Sequence, residues 1–317
     1  MTDGALIPLL VLCGPTASGK TALGVRLAER LGGEVVSADS MQVYRGADIA
    51  TAKPAKEEMR GIPHHLIDVV ERDAAFSAAD YAALAHAAIA GIAARGRLPI
   101  LVGGTGLYIK AVVENMQFCE QDSGEAVQLR QHYQALAAER GNAWLWGLLR
   151  ECDPERAALI HENNVGRVAR ALCVYALTGH SITEQDAQSK TVPSPYRALT
   201  LVMGYRDRAA LYGRIDERVD GMLRDGLLDE ARAAERSGQS TAAQAIGHKE
   251  LRAYLDGQCE LADAVELLKQ QTRRYAKRQI TWFKSIENAH TLWCDGHTTE
   301  QLCDDAIGLI EGAGSLV

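Results

Sequence analysis

Residues Gly14-Pro15-Thr16-Ala17-Ser18-Gly19-Lys20-Thr21 satisfy G-x-x-x-x-G-K-[ST] at every fixed position, and their surroundings constrain the fold more than any other feature of the chain. Before them runs Leu6 to Cys13, an apolar stretch of strand length. After them Leu23, Leu27 and Leu31 recur at helical spacing until Gly32-Gly33 stops the pattern. A strand, a glycine loop and a helix in that order make an anion cradle: loop N–H groups turn inward and the helix adds its positive end. Lys20 places a charge on terminal phosphate oxygens, and Thr21 offers a hydroxyl to Mg²⁺. The pattern predicts a polyphosphate or pyrophosphate held by Gly14, Thr16, Ala17, Ser18, Gly19, Lys20 and Thr21, without naming the ligand.

The rest of the chain extends this unit. A second short strand fits Glu34 to Ala38. Ser77-Ala78-Ala79-Asp80 has capping-box spacing, with Asp for the usual Glu, and opens an alanine-rich helix to about Arg95-Gly96. Leu98 to Val102 supplies another buried strand, ended by Gly103-Gly104. Strands alternating with helices imply an α/β fold with a mainly parallel sheet. From about Glu114 to Gly179 only helical periodicity remains. A polar linker, Ser181 to Pro195, then leads to a strand at Ala198 to Met203. The remainder reads as mostly helical, with a long helix from Glu260 to about Lys284 and an edge strand at Thr291 to Cys294. The expected organisation is a catalytic core over 1–114 and 196–317, interrupted by an all-helical insertion with its linker over 115–195.

Composition bounds the function classes. With 317 residues, 47% apolar and 24% charged, the chain can bury a sizeable core without disulfides. Its longest apolar runs, such as Ile7 to Cys13, are too short to span a bilayer, and its N-terminus lacks a signal-peptide layout. A cytoplasmic protein with no membrane partner is expected, monomeric by default. The net charge of −7 argues against nonspecific coating of nucleic acid but is silent about a local basic patch. Seven cysteines, an odd number with no C-x-x-C pair, signal neither a disulfide framework nor a zinc site and read as small core residues.

In open parallel sheets ligands collect beyond the carboxyl ends of the strands. Three features share that edge: the phosphate loop, Asp39-Ser40, and Gly103-Gly104-Thr105-Gly106. Asp39 can serve as a general base or a magnesium ligand, or simply cap the strand end. His64-His65 with Asp68 lack a third ligand at matching spacing and read as core or loop residues. Trp144 and Trp146 read as packing within the helical insertion rather than as base-stacking platforms.

Six blocks together resemble the tRNA dimethylallyltransferase family, also called tRNA isopentenyltransferases. They are the phosphate loop, Ser37-Ala38-Asp39-Ser40-Met41-Gln42-Val43-Tyr44, Thr51-Ala52-Lys53-Pro54, Pro63-His64-His65-Leu66-Ile67-Asp68, Gly103-Gly104-Thr105-Gly106-Leu107-Tyr108 and Arg273-Arg274-Tyr275-Ala276-Lys277-Arg278-Gln279. They stand in the family's order and cover most of the chain. The resemblance implies a core like that of P-loop nucleoside-triphosphate hydrolases, with an inserted helical domain that swings against tRNA. It implies transfer of the dimethylallyl group from its pyrophosphate to the 6-amino group of adenosine 37, beside the anticodon, with Mg²⁺ held partly by Thr21. The chain departs from the family's usual residues at Ala50 (Gly), His248 (Tyr) and Gly166 (more polar). These departures touch tRNA contact more than chemistry.

The residues can then be given roles. Asp39 would take the proton that adenine's amine loses, Thr16 would orient that amine, and Arg218, with Arg214 four residues before it, would face the pyrophosphate. The competing reading of the two arginines is a solvated face with Asp216 and Glu217. Gln270 to Lys284 carries Arg273, Arg274, Lys277, Arg278 and Lys284 with no acidic residue, a phosphate-facing stripe beside Trp282 and Phe283 or else a core-docking helix with solvated charges. By the family pattern Asp39, Ser40, Met41, Gln42 and Thr105 contact the anticodon stem-loop of tRNA, as do Gly166, Arg167, Arg170, Gln244, Gly247, His248 and Lys249. An adenylate isopentenyltransferase, a small-molecule kinase using the same loop for ATP, and a nucleotide-dependent RNA-binding switch are the competing functions. The blocks from Thr51 to Tyr108 and the Arg273 to Gln279 run weigh against all three.

Overall fold

The computed structural model describes residues 6–118, 124–236 and 245–314. The first strand, β1 (Ile7–Cys13), is apolar along its length because both of its faces are covered. Leu10 and Leu12 point to one side with Leu23 and Leu27 of α1 (Lys20–Leu31), while Leu9, Val11 and Cys13 point to the other. Then follow β2 (Gly33–Ala38), the single turn α2 (Lys56–Met59), the two-residue strand β3 (His64–His65) and α3 (Ala78–Ala94). The box at the head of α3 forms with Asp in the acidic position: Asp80 N–H donates to Ser77 Oγ at 3.2 Å, and Ser77 N–H to Asp80 Oδ2 at 2.9 Å. β4 (Leu98–Gly103) and α4 (Gly106–Val113) complete the first stretch of sheet and helices.

The chain divides into two compact units, one made of Met1–Val113 with Pro195–Val317 and the other of Glu114–Ser194. Within the second lie α5 (Gly124–Arg140), α6 (Asn142–Cys152), α7 (Pro154–Leu159), α8 (Val165–Thr178) and α9 (Ile182–Ser189). They pack around Leu145, Leu149, Val168 and Leu172. α9 corrects the reading of 181–195 as a plain linker. Ser181 Oγ accepts from Glu184 N–H at 3.1 Å while Glu184 accepts in return from Ser181 N–H, so an S-x-x-E box starts a helix there. Trp146 is tied inward by bonds to the carbonyls of Ala157 and Ile160, whereas Trp144 is exposed under Arg140.

In the first unit the chain continues as β5 (Tyr196–Gly204), α10 (Arg208–Arg224), α11 (Leu227–Arg236), α12 (His248–Leu255), α13 (Leu261–Phe283), β6 (His290–Trp293) and α14 (Thr299–Ala313). The six strands form one parallel sheet in the order β3-β2-β4-β1-β5-β6. β1 lies between β4 and β5, so the loop that leaves it opens where successive connections diverge, the usual crevice of such sheets. A further cluster of Val219, Leu227, Leu251 and Leu268 joins α10, α11, α12 and α13. Among the described residues no helix is long and apolar enough to cross a membrane.

Candidate active site

The phosphate loop is braced from three directions. Gly14 (φ 148°) passes so close to β5 that a Cβ there would stand 2.7 Å from the Met203 carbonyl oxygen, which makes glycine obligatory. From α10, Arg214 Nε donates to the Ala17 carbonyl at 3.0 Å. From α13, the buried Gln279 accepts from Thr16 N–H at 2.8 Å and donates to the Gly104 carbonyl at 2.9 Å. The amide of Gln279 therefore pins the loop after β1 to the loop after β4. Lys20 folds back on the loop itself, donating to the Pro15 carbonyl at 2.6 Å. Beneath the loop, burial raises the Cys13 thiol to about 12, so it is a protonated core residue. Cys173, Cys294 and Cys303 are likewise buried, and Cys119 lies outside the described residues.

Thr16, Lys20, Thr21, Asp39, Arg218 and Gln279 line one cavity of about 360 Å³. Lys20, Thr21 and Arg218 also line a larger opening of about 1240 Å³ on the α2 side, so the phosphate loop is reached from two directions. Burial first, and the neighbouring Arg218 second, lower the Lys20 ammonium to about 8, with Asp39 opposing the shift. Burial also lowers Arg218, again against the pull of Asp39. Arg218 and Lys20 thus form a pair of crowded cations that an anion would relieve, and Asp39 faces them. The solvated-face reading of Arg214 and Arg218 is set aside: one braces the loop and the other lines the cavity.

Asp39 does two things at once. Its Oδ1 accepts from Met41 N–H at 2.9 Å and from Gln42 N–H at 3.4 Å, which caps the turn after β2, and its carboxylate lines the cavity. Across the edge, Thr105 Oγ1 accepts from Ser40 N–H at 2.9 Å and donates to Ser40 Oγ at 3.2 Å. The three features at the sheet edge are thereby linked into one rim.

The family model for IPP transferases matches residues 42–286. The chain belongs to the IPP transferase family. Among curated relatives, a tRNA dimethylallyltransferase of Geobacillus thermodenitrificans is 49% identical over 280 residues, covering 87% of each chain. That of Caldanaerobacter subterraneus is 43% identical over 311 residues, covering 96% of this chain and 98% of its own. Among solved structures, the full-length tRNA isopentenylpyrophosphate transferase of Bacillus halodurans superposes with a TM-score of 0.72 at 42% identity, covering 96% of both chains. A eukaryotic dimethylallyltransferase acting on tRNA gives 0.82 at 28% identity, covering 96% of this chain and 80% of that one.

For an IPP transferase, several residues read from the sequence as tRNA contacts turn out to be occupied. Gln42 is bonded within the rim: its Oε1 accepts from Ser37 Oγ at 3.0 Å, and its Nε2 donates to the Thr51 and Ala52 carbonyls at 3.2 and 3.3 Å. The side chain fastens the Thr51-Ala52-Lys53-Pro54 segment to the rim while it lines the cavity. His248, the first residue of α12, is buried against Glu230, with Nε2 to Oε1 at 2.9 Å, and Gly247 is buried as its N-cap. Of the 244–249 stretch, Lys249 is exposed and lines the cavity, while Gln244 lies outside the described residues. Arg273 is no free cation either, since it pairs with Asp216 at 2.7 Å and Glu266 at 2.6 Å. Arg274, Lys277 and Arg278 are exposed on α13, and Arg278 lies over the Tyr275 ring and reaches the cavity. Phe283 is core, whereas Trp282 stands 42% exposed. On α8 of the other unit, Gly166, Arg167 and Arg170 are all exposed.

The sequence reading gave no role to Gln279 or Lys53, although both lie inside the quoted blocks. Lys53 Nζ donates to the Tyr44 carbonyl and to the carboxylates of Asp48 and Asp68, tying the segment between β2 and β3 to the turn that follows β3. His65 pairs with Glu34, which also holds Arg95, and His64 Nδ1 bonds the Ile62 carbonyl at 2.9 Å. Among the described residues there is no group of three or more His, Cys, Asp or Glu side chains suited to a metal.

Proposed function

We propose that the chain transfers the dimethylallyl group from dimethylallyl pyrophosphate to the 6-amino nitrogen of adenosine 37 in the anticodon loop of tRNA, releasing pyrophosphate. The observation that carries this reading is the convergence of a carboxylate, Asp39, and a cationic phosphate cradle, Lys20 with Arg218, on a single cavity. A kinase or a hydrolase also needs the cradle. The family membership and the rim built from the Ser37 to Tyr44 and Gly103 to Tyr108 blocks favour the prenyl acceptor reading.

The amine lone pair attacks the allylic carbon, the carbon–oxygen bond breaks toward the bridging oxygen, and the amine proton passes to Asp39. Lys20, with its ordinary value lowered only to about 8, is protonated at neutral pH, and together with Arg218 and the loop N–H groups it stabilises the departing pyrophosphate. Thr16, whose N–H is already held by Gln279, lines the cavity with a hydroxyl placed to orient the amine. The hydroxyl of Thr21 is a hard oxygen ligand in the same cavity and would hold Mg²⁺ there, which leaves the Asp39 carboxylate for the proton. When bound, the ion would neutralise charge on the leaving group.

Adenosine 37 must leave its stack to reach this cavity. Lys249, Arg274, Lys277 and Arg278, with Arg167 and Arg170 on the helical unit, are the charges that would meet the anticodon stem-loop, and the helical unit is the part that would swing. The reaction is assigned to the cytosol and to a single copy of the chain.

Incubation with Mg²⁺, radiolabelled dimethylallyl pyrophosphate and unmodified tRNA, followed by nucleoside analysis, tests the proposal. Label in the adenosine beside the anticodon is expected. Label in AMP instead would move the acceptor to free nucleotides, and no label in either, from protein that still binds pyrophosphate, would overturn it.

A further inference from the structure

The carboxylate of Glu230, on α11, gathers four donors from distant parts of the chain. Its Oε2 accepts from Asp48 N–H at 2.8 Å and Ile49 N–H at 2.7 Å; its Oε1 accepts from Ala50 N–H at 3.0 Å and from His248 Nε2 at 2.9 Å. Since a carboxylate only accepts, His248 must carry its proton on Nε2, which leaves Nδ1 buried and without a hydrogen-bond partner. The histidine thus forgoes one polar contact to keep this one. The Glu230 side chain is 10% exposed and that of His248 4%. Burial alone would raise the carboxyl, but His248 and the N–H groups of Ala50 and Ile49 outweigh it and hold Glu230 near 2, so it stays ionised.

The segment that Glu230 grips does not stop at the grip. Ala50, Thr51 and Ala52 form part of the wall of the reaction cavity. The carbonyls of Thr51 and Ala52 receive the Gln42 amide, and the backbone N–H of Gln42 donates to Asp39 Oδ1. Hydrogen bonds joined by short stretches of chain, at 50–52 and within Gln42, therefore lead from Glu230 through the wall to the proposed base. Apolar packing of Ile49 and Ala50 against the α10–α13 cluster locates this segment, but three successive N–H groups aimed at one carboxylate fix its orientation.

We propose that Glu230, oriented by His248, is a positioning residue for the transfer reaction, holding the Asp48–Ala52 wall and, through Gln42, the turn that presents Asp39. The inference rests on the proposed function for its kinetic consequence and on geometry alone for the wall. Glu230→Gln leaves one acceptor oxygen where two serve, while the phosphate cradle is untouched. The test uses the full-length protein with Mg²⁺ and inorganic pyrophosphate as the binding probe. Calorimetry gives the number of competent sites, labelled transfer gives kcat per competent site, and amide exchange read by mass spectrometry reports residues 48–52.

In Glu230→Gln, a pyrophosphate Kd within threefold of wild type, a kcat per competent site at least tenfold lower and exchange of the 48–50 amides at least tenfold faster are expected. A purely structural role would lower the number of competent sites and leave kcat per site unchanged; a value within twofold of wild type overturns the proposal. Should Glu230→Gln not fold, His248→Leu removes the orienting donor and keeps the carboxylate, with at least a threefold loss per site expected and less than twofold overturning it. If wild-type protein transfers no label, the proposed function falls by itself. The exchange rates then decide the wall: faster exchange supports it and unchanged exchange overturns it.

Discussion

At the level of single residues, Asp39 shows how far a sequence reading reaches. Three roles were open for it, and the structure makes capping and cavity-lining compatible, since both backbone bonds fall on Oδ1. Asp39→Ala is expected to lower turnover by a factor on the order of 10² to 10⁴, the usual contribution of a positioned base, while dimethylallyl pyrophosphate affinity stays nearly intact. Single-turnover kinetics beside equilibrium binding separates the two, and near-normal turnover would remove Asp39 from the chemistry. Gln42, Gly247, His248 and Arg273 mark the other limit. Each is a polar residue or glycine with a bond inside the fold: Gln42 to Ser37, Gly247 to Glu250, His248 to Glu230 and Arg273 to Asp216. The family resemblance, and for Arg273 the charge pattern, pointed to contact with tRNA, but availability depends on which donors and acceptors the fold has already used. No periodicity in the sequence records that.

Elements were legible wherever a local rule settled them. The apolar run of β1, the Ser77 and Asp80 box of α3 and the spacing of α13 all gave elements within a few residues of those observed. α9 was missed because two prolines nearby, Pro193 and Pro195, drew the segment toward a linker reading, although Ser181 and Glu184 carry a capping box as clear as the one recognised at Ser77. What no local rule supplies is how elements are tied at the site. Gln279→Leu would strand the Thr16 N–H and the Gly104 carbonyl in a partly buried rim, a cost of about 1–3 kcal/mol for each polar group left unpaired. Denaturant unfolding should show that loss together with a weaker pyrophosphate Kd, and unchanged affinity would mean that the loop holds its shape without α13.

The tie between α11 and the 48–50 segment gives a pH signature. Glu230 is lowered from 4.5 to about 2 in the folded protein, so its contribution to stability is complete above about pH 4.5 and is lost as pH falls toward about 2. The stability gap between wild type and Glu230→Gln, measured by urea unfolding, should be constant from about pH 7 to 5 and narrow steadily below that. A gap that does not shrink by about pH 3 would contradict the ionised, donor-held carboxylate.

On the scale of the whole molecule, a net charge of −7 must be reconciled with a polyanionic partner. The reconciliation is local, because a protein's field near a site depends on which cations lack compensating carboxylates and not on the total. Arg273 is compensated by Asp216 and Glu266, whereas Arg274 and Lys277, further along the same helix, are exposed. If α13 meets the phosphate backbone, Arg274→Ala and Lys277→Ala should each weaken tRNA binding across all sequences and lower the slope of log K against log salt by about 0.7 to 0.9 for every phosphate that is no longer neutralised. Arg273→Ala should leave that slope unchanged and instead lower stability, since it leaves Asp216 without its partner. Filter binding of unmodified tRNA between about 50 and 200 mM salt distinguishes the three variants. Equal slopes in all of them would place the tRNA elsewhere and return α13 to the docking role that its buried face, from Ala264 to Phe283, already fills.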